Sequence, residues 1–194
     1  GSVGKPVETC EMKIVGDGGE TLPAGEVGEV YMRPKAGPGT TYRYRITARS
    51  GARTDKSDPI GAAHHIAPSI DSIVADISHE WGDSEWMAGR GARNALDAPM
   101  SVYEVHLGSW GRTVHEGQRF PNYRDLAEPL AAHCVAHGFT HVEFLPLMEH
   151  PFYGSWGYQT TGYFAPTSRF GSPQDLMAMI DHLHQRGVGV LFDW

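Results

Sequence analysis

The chain has 194 residues, of which 40% are hydrophobic and 20% are charged, and its formal net charge is −7. An acidic balance without a basic cluster argues against a nucleic-acid surface, and no apolar run of about 18 residues is available to span a membrane. No signal-peptide pattern opens the chain, and its two cysteines form no disulfide framework. We therefore expect a cytoplasmic globular protein with no nucleic-acid or membrane partner.

The first 34 residues read as β structure. Apolar alternation predicts strands over residues 12–15 and 27–32, and Asp-Gly-Gly at 17–19 and Pro-Ala-Gly at 23–25 are turn signals. The stretch from 34 to 39 contains two prolines and two glycines, which suit neither a helix nor a strand. This stretch is the predicted boundary of the first segment.

The second segment is predicted to be partly β and partly irregular. Tyr42, Tyr44 and Ile46 alternate with polar residues, so residues 40–48 are predicted to form one half-buried strand. Residues 50–98 contain proline breakers and no clear periodicity, and we expect irregular structure there.

From residue 99 onward, apolar strands alternate with amphipathic helices. We predict strands over residues 101–107, 139–145 and 188–192, and helices over 123–137 and 172–186. This order indicates parallel strands joined by right-handed crossovers. The periodicity alone does not distinguish a doubly wound sheet from a (β/α)8 barrel.

Local capping signals mark the ends of the two predicted helices. Asn122 precedes the first helix as an N-cap, and Gly138 follows it as a C-terminal stop. Ser172 precedes the second helix with Asp175 three residues later, and Gly187 ends it. These signals set the predicted bounds of the two helices.

The connection over residues 146–171 carries the chemistry. It is far longer than the roughly two to six residues usual for such loops, and it leaves the carboxyl end of a strand, where sites of α/β folds lie. It is rich in aromatic residues, namely Phe152, Tyr153, Trp156, Tyr158, Tyr163 and Phe164. Aromatic faces beside polar groups suit a sugar ring. The alternative is that these rings only pack the loop against the fold.

Five stretches of this half of the chain are distinctive: YEVHLGSW at 103–110, GFTHVEFLPLMEHP at 138–151, GSWGYQ at 154–159, YFAPTSRFG at 163–171 and VLFDW at 190–194. They resemble stretches of a known family, the bacterial glycogen branching enzymes of glycoside hydrolase family 13. Together they are similar to the opening of the catalytic barrel in that family. The resemblance implies an α/β fold: the first three strands of a truncated (β/α)8 TIM barrel over residues 99–194.

The earlier segments resemble other modules. GTTYRYRI at 39–46, KSDP at 56–59 and WGDSEW at 81–86 are similar to the end of a family 48 carbohydrate-binding β-sandwich, which implies such a module over residues 35–98. GSVGKP at 1–6 and LPAGEVGEVY at 22–31 resemble the late β region of AMP-forming acyl-CoA synthetases. Residues 1–34 are therefore expected to be an unrelated β-rich segment.

The branching-enzyme resemblance implies a set of substrate-binding residues. Tyr158 matches a position that stacks on the sugar in that family, and Asp193 matches an aspartate that borders its active site. Gln159, Glu149 and Trp156 line the same loop. In that family, the catalytic carboxylate pair of the retaining reaction lies on later strands than this chain contains, so we assign no catalytic residue. We also assign no metal and no cofactor.

We therefore expect a fragment of a 1,4-alpha-glucan branching enzyme, inactive as this chain, that binds glycogen or maltooligosaccharides. One alternative is a non-catalytic glucan-binding or vestigial protein, which the same aromatic residues would serve. Another is a fragment of an adenylate-forming ligase, although no phosphate loop of that class is found. Exposed strand edges also predict non-specific self-association.

Overall fold

A computed structural model of the chain describes residues 10–15, 20–22, 29–34, 37–47, 50–110 and 120–194. The first sheet has the order β2-β1-β3, in which β1 (Cys10–Val15) pairs antiparallel with β2 (Thr21–Leu22) and β3 (Glu29–Pro34). The strands predicted in this segment are thereby confirmed where they are described. The predicted turns at 17–19 and 23–25 and the motif at 1–6 lie outside the described residues.

The single strand predicted over residues 40–48 is wrong, because the structure breaks it at Arg43. β4 (Thr41–Tyr42) pairs with β7 (Ser72–Ile73), whereas β5 (Tyr44–Thr47) pairs with β6 (Arg53–Lys56). The guanidinium of Arg43 lies 2.6 Å from Asp71 and 3.8 Å from Asp55. Its two ion pairs therefore link the two short ladders at the point where the strand changes partner.

The expectation of irregular structure over residues 50–98 is also wrong, because this stretch holds β6, β7 and the helix α1 (Ser84–Arg93). The helix is anchored by distant residues. Trp86 is buried and stacks on the ring of His184 with centroids 5.0 Å apart, and Asp83 contacts Nδ1 of the same histidine at 2.7 Å. Partners about a hundred positions away leave no local periodic signal.

The three predicted parallel strands are confirmed. β8 (Val102–Val105), β9 (His141–Phe144) and β12 (Gly189–Phe192) form one sheet in the order β12-β9-β8, with every pair parallel. Each strand is shorter than predicted by one to three residues, because only the hydrogen-bonded part of each apolar run belongs to the ladder.

Two helices join these strands, and both follow their predicted caps. In α2 (Tyr123–His137), Asn122 accepts a hydrogen bond from the backbone of Arg124, and Gly138 ends the helix at φ 75°. In α3 (Pro173–Gln185), Ser172 and Asp175 form a reciprocal capping box.

The core lies between these two helices and one face of the sheet. That face contributes Val105, Val142 and Phe144, and the helices contribute Leu130, Ala131, Cys134, Met179 and Leu183. The opposite face carries Glu104, Glu143 and Leu191 side by side in register. At the amino end of that face, α1 covers His141 through Trp86 and Asn94. In the carboxyl half of the face, Glu104 and Leu191 are exposed in the described part of the chain.

The long connection after β9 has internal structure. It contains a short antiparallel ladder between β10 (Met148–Glu149) and β11 (Gly162–Pro166) and two 3₁₀ turns, Tyr153–Ser155 and Ser168–Phe170. In the part of the chain that is described, no helix is long and apolar enough to cross a membrane.

Candidate functional site

The long connection meets the end of the last strand through one side-chain contact. The hydroxyl of Tyr158 donates a hydrogen bond of 2.5 Å to Oδ2 of Asp193. Asp193 follows β12 directly, and its backbone N–H donates to the carbonyl of Phe144 at the end of β9. The contact therefore joins the carboxyl ends of two neighbouring parallel strands, where sites form in α/β folds.

The turn that presents Tyr158 depends on a glycine. Gly157 has φ +96°, and a Cβ built there would lie 2.2 Å from the carbonyl oxygen of Pro146. Only glycine allows the loop to cross the end of β9 this closely. Trp156 before it also adopts the left-handed conformation, at φ 56°. As a result the side chains of Trp156 and Tyr158 are held outward, at 57% and 55% exposure.

The surroundings of Tyr158 are acidic. The hydrogen bond to Asp193 raises the pKa of the Tyr158 phenol above its ordinary value, and the negative charges of Asp193, Glu104 and Glu143 raise it further. Tyr158 therefore stays a neutral ring at physiological pH, beside carboxylates that accept hydrogen bonds. An apolar face next to acceptors matches the apolar faces and hydroxyl rim of a pyranose ring.

Glu149 lies inside the loop and not beside Tyr158. It is 4% exposed, and its carboxylate accepts from the backbone N–H groups of His150 and Ser168, from Oγ1 of Thr167 and from Nη1 of Arg169. These four hydrogen bonds occupy the carboxylate oxygens. In this structure Glu149 holds the hairpin together.

The other residues predicted for the site lie on the exposed side of the loop. Gln159 follows Tyr158 and is exposed, and Trp156 precedes it on the same turn. The structure therefore brings Tyr158 and Asp193 into contact, keeps Trp156 and Gln159 nearby in the chain, and separates Glu149 from them by burial.

His106 is not among the residues predicted for the site. The structure places it just beyond the last residue of β8, with its ring centroid 5.8 Å from that of Trp156 and 5.7 Å from that of Tyr153. The signal that could have found it is its position at the carboxyl end of a predicted parallel strand.

Two cavities lie elsewhere in the described residues. One of about 330 Å³ is bounded by residues 38–39, 63–64 and 73–76 on one side and by 166–174 on the other, and one of about 130 Å³ lies between residues 57–70 and the β10-β11 hairpin. Neither is lined by Tyr158 or Asp193. Among the residues that the structure describes, no group of three or more His, Cys, Asp or Glu side chains is arranged to hold a metal ion.

The chain superposes on the crystal structure of a putative alpha amylase from Salmonella typhimurium with a TM-score of 0.66 and 24% identity, covering 96% of this chain and 29% of that one. This likeness shows an α/β fold of the α-amylase type with mixed sheets. No family model matches the sequence.

By sequence the chain is homologous to a narrower group, the 1,4-alpha-glucan branching enzymes. It is 57% identical to the enzyme of Albidiferax ferrireducens over 80% of this chain, 54% identical to that of Aquifex aeolicus over 80%, and 46% identical to that of Nocardia farcinica over 96%. It spans about a quarter of the length of these relatives, from 23% to 25%. The Nocardia alignment takes in most of residues 1–34, for which the sequence suggested a different family.

Proposed function

We propose that this chain forms part of the α-glucan-binding cleft of a 1,4-alpha-glucan branching enzyme. The observation that carries the proposal is the hydrogen bond from Tyr158 to Asp193, because it fixes an exposed aromatic ring over the carboxyl ends of β9 and β12. A sugar ring would stack on Tyr158, and its hydroxyls would donate to the carboxylate of Asp193. Trp156 and Gln159 would extend the same surface.

The proposal includes the finer architecture. β8, β9 and β12 are proposed to be the first three strands of a (β/α)8 barrel over residues 99–194, with the open face of Glu104 and Leu191 turned toward the barrel interior. Residues 35–98 are proposed to be the end of a carbohydrate-binding β-sandwich. For residues 1–34 there are two candidate origins. They resemble acyl-CoA synthetases, but the likeness to the Nocardia enzyme covers 96% of the chain, so they are alternatively part of a branching enzyme.

The relatives are named for branching a 1,4-alpha-glucan, and the family resemblance implies that the branch is an α-1,6 linkage. We assign this chain the binding of the α-1,4-linked donor and none of the bond-making steps. Retaining glycoside chemistry needs two carboxyl groups about 5 Å apart across one glycosidic bond, and we assign no such pair here. Glu149 is proposed to position the loop and to make no direct sugar contact. A cytoplasmic location is part of the same proposal.

Maltoheptaose binding by the 194-residue chain tests this function. Isothermal titration should show weak binding to the unaltered chain and a clear loss in Tyr158→Ala, because the stacking face is removed. Tyr163→Ala is the matched control: Tyr163 is as exposed as Tyr158, and its ring faces Trp194 instead of Asp193. Equal binding by the unaltered chain and Tyr158→Ala would refute the assignment.

The activity of the isolated chain gives a second, independent check. Amylose incubated with the purified chain should gain no α-1,6 linkages and lose no length, because the chain is proposed to bind without catalysing the transfer. Proton NMR of the anomeric region distinguishes the two linkages. New α-1,6 signals would show that the chain carries catalytic groups that this proposal does not assign.

A further inference from the structure

We propose that His106 is a second sugar-contacting residue of the same cleft, where it donates a hydrogen bond from Nε2 to a hydroxyl oxygen of the bound glucan. This inference rests on the proposed function and adds a residue to it. His106 follows β8 at the carboxyl end of the sheet, the same end at which Asp193 follows β12, and its ring lies beside the exposed Trp156.

The hydrogen bonds around His106 favour one tautomer of its ring. Its carbonyl oxygen already accepts from the backbone N–H groups of Ser109 and Trp110, each at 3.1 Å. Two donors occupy the two lone pairs of a carbonyl oxygen. The single proton of the Ser109 hydroxyl is then best given to Nδ1 of His106, which lies 2.9 Å from Oγ, closer than the carbonyl at 3.2 Å. We therefore assign Nδ1 as the acceptor and Nε2 as the protonated nitrogen.

Nε2 of His106 is free to meet a ligand. No hydrogen-bond partner of this atom is found among the described residues. It is also not one of the sealed polar atoms that lack a partner, which are Nε2 of His64, Nε2 of His79 and Oγ of Ser168. The N–H group therefore reaches the surface of the cleft.

The ring is held neutral and in place. Burial lowers the pKa of His106 below its ordinary value, and the electrostatic interaction with nearby His150 lowers it further. Tyr153 also lies beside the imidazole, and it fits closely over Gly108, where a Cβ would lie 2.6 Å from the tyrosine hydroxyl. The imidazole thus presents one fixed N–H donor beside an indole face, an arrangement suited to the oxygen of a sugar hydroxyl.

Two substitutions separate the hydrogen bond from the packing of the ring. His106→Phe keeps a flat ring beside Tyr153 and Trp156 but removes the N–H donor at Nε2. It should weaken maltoheptaose binding by about three- to tenfold, the usual range for one neutral hydrogen bond. His106→Gln can place its amide N–H near the position of Nε2, so it should recover most of the affinity. Both variants should retain the thermal transition of the unaltered chain.

The tautomer itself gives a readout that does not depend on any variant. Long-range ¹H–¹⁵N correlation spectra of the histidine rings should show His106 protonated at Nε2, and this signal should move when maltoheptaose is added. A ring protonated at Nδ1, or an Nε2 signal unmoved by saturating sugar, would overturn the inference. If Tyr158→Ala weakens binding and His106→Phe does not, only the role of His106 fails. If neither weakens it, the proposed function fails as well.

Discussion

Arg169 and Glu149 form a buried ion pair of 3.2 Å, with side chains that are 4% and 5% exposed. The same guanidinium group donates to the carbonyl oxygens of His150 and Pro151, at 2.6 and 3.1 Å, and to Oγ1 of Thr167. The pair therefore ties the beginning of the long connection to its end. We infer that this ion pair and its hydrogen bonds hold in place the loop segment between these points, which includes Tyr158.

Glu149→Gln should destabilise the fold, because it removes the negative charge that lies 3.2 Å from the buried guanidinium of Arg169. Breaking a buried pair in this way costs about 3–5 kcal/mol. Urea unfolding followed by circular dichroism measures the loss. Glu143→Gln is the control: it removes a partly exposed carboxylate that has no ion-pair partner in the described residues, and its effect should stay below about 1 kcal/mol. Equal effects of both variants would contradict a clamp at Glu149.

Gly157→Ala should move the loop away from the strand end, because the new Cβ would lie 2.2 Å from the carbonyl oxygen of Pro146. Gly187→Ala is the matched control: Gly187 also has a positive φ, +80°, but nothing lies within 4 Å of a Cβ there. The control should lose only about 1 kcal/mol from backbone strain. We expect a larger loss of stability for Gly157→Ala, together with loss of maltoheptaose binding. Two equal losses would show that the close approach is not limiting.

The hydrogen bond between Tyr158 and Asp193 predicts a pH dependence. The folded-state pKa of Tyr158 is raised above its unfolded value of about 10. Its contribution to stability is therefore fully present below that unfolded pKa and is lost as pH rises through the folded pKa. In an ultraviolet pH titration, Asp193→Asn should lower the pKa of Tyr158, with Tyr158→Phe identifying its signal. If the titration of Tyr158 is the same in Asp193→Asn, the carboxylate is not the cause of the shift.

The open face of the parallel sheet predicts self-association of the isolated chain. β12 is an edge strand of the described sheet. Leu191, on the open face, is 38% exposed, and the next residue in the chain, Phe192, is 45% exposed. Apolar edge strands without charge or proline are templates for pairing with another chain. Light scattering should show oligomers, and Leu191→Lys should reduce them. Val135→Lys, at an exposed position on α2, should have little effect. A monodisperse unaltered chain would refute this prediction.

Those parts of the fold that depend on local rules could be predicted from the sequence. Asn122 and Ser172 begin their helices, and Gly138 ends the first of them, because a cap needs only a few neighbouring residues. The parallel order of β8, β9 and β12 follows from alternating strands and helices, since the crossover rule applies whatever the side chains are. The family resemblance and the aromatic loop were equally visible without a structure.

The tertiary structure alone decided the features that depend on distant partners. The helix α1 contains Gly89 and Gly91 and shows no strong local signal, and it is anchored because Trp86 finds the ring of His184. Glu149 resembles any other polar loop residue in the sequence, and only the approach of Arg169 shows that it is a buried structural carboxylate. His106 likewise becomes a candidate donor only once Ser109 and Trp156 surround it. Burial and hydrogen-bond partners are properties of the assembled chain, and the sequence pattern does not contain them.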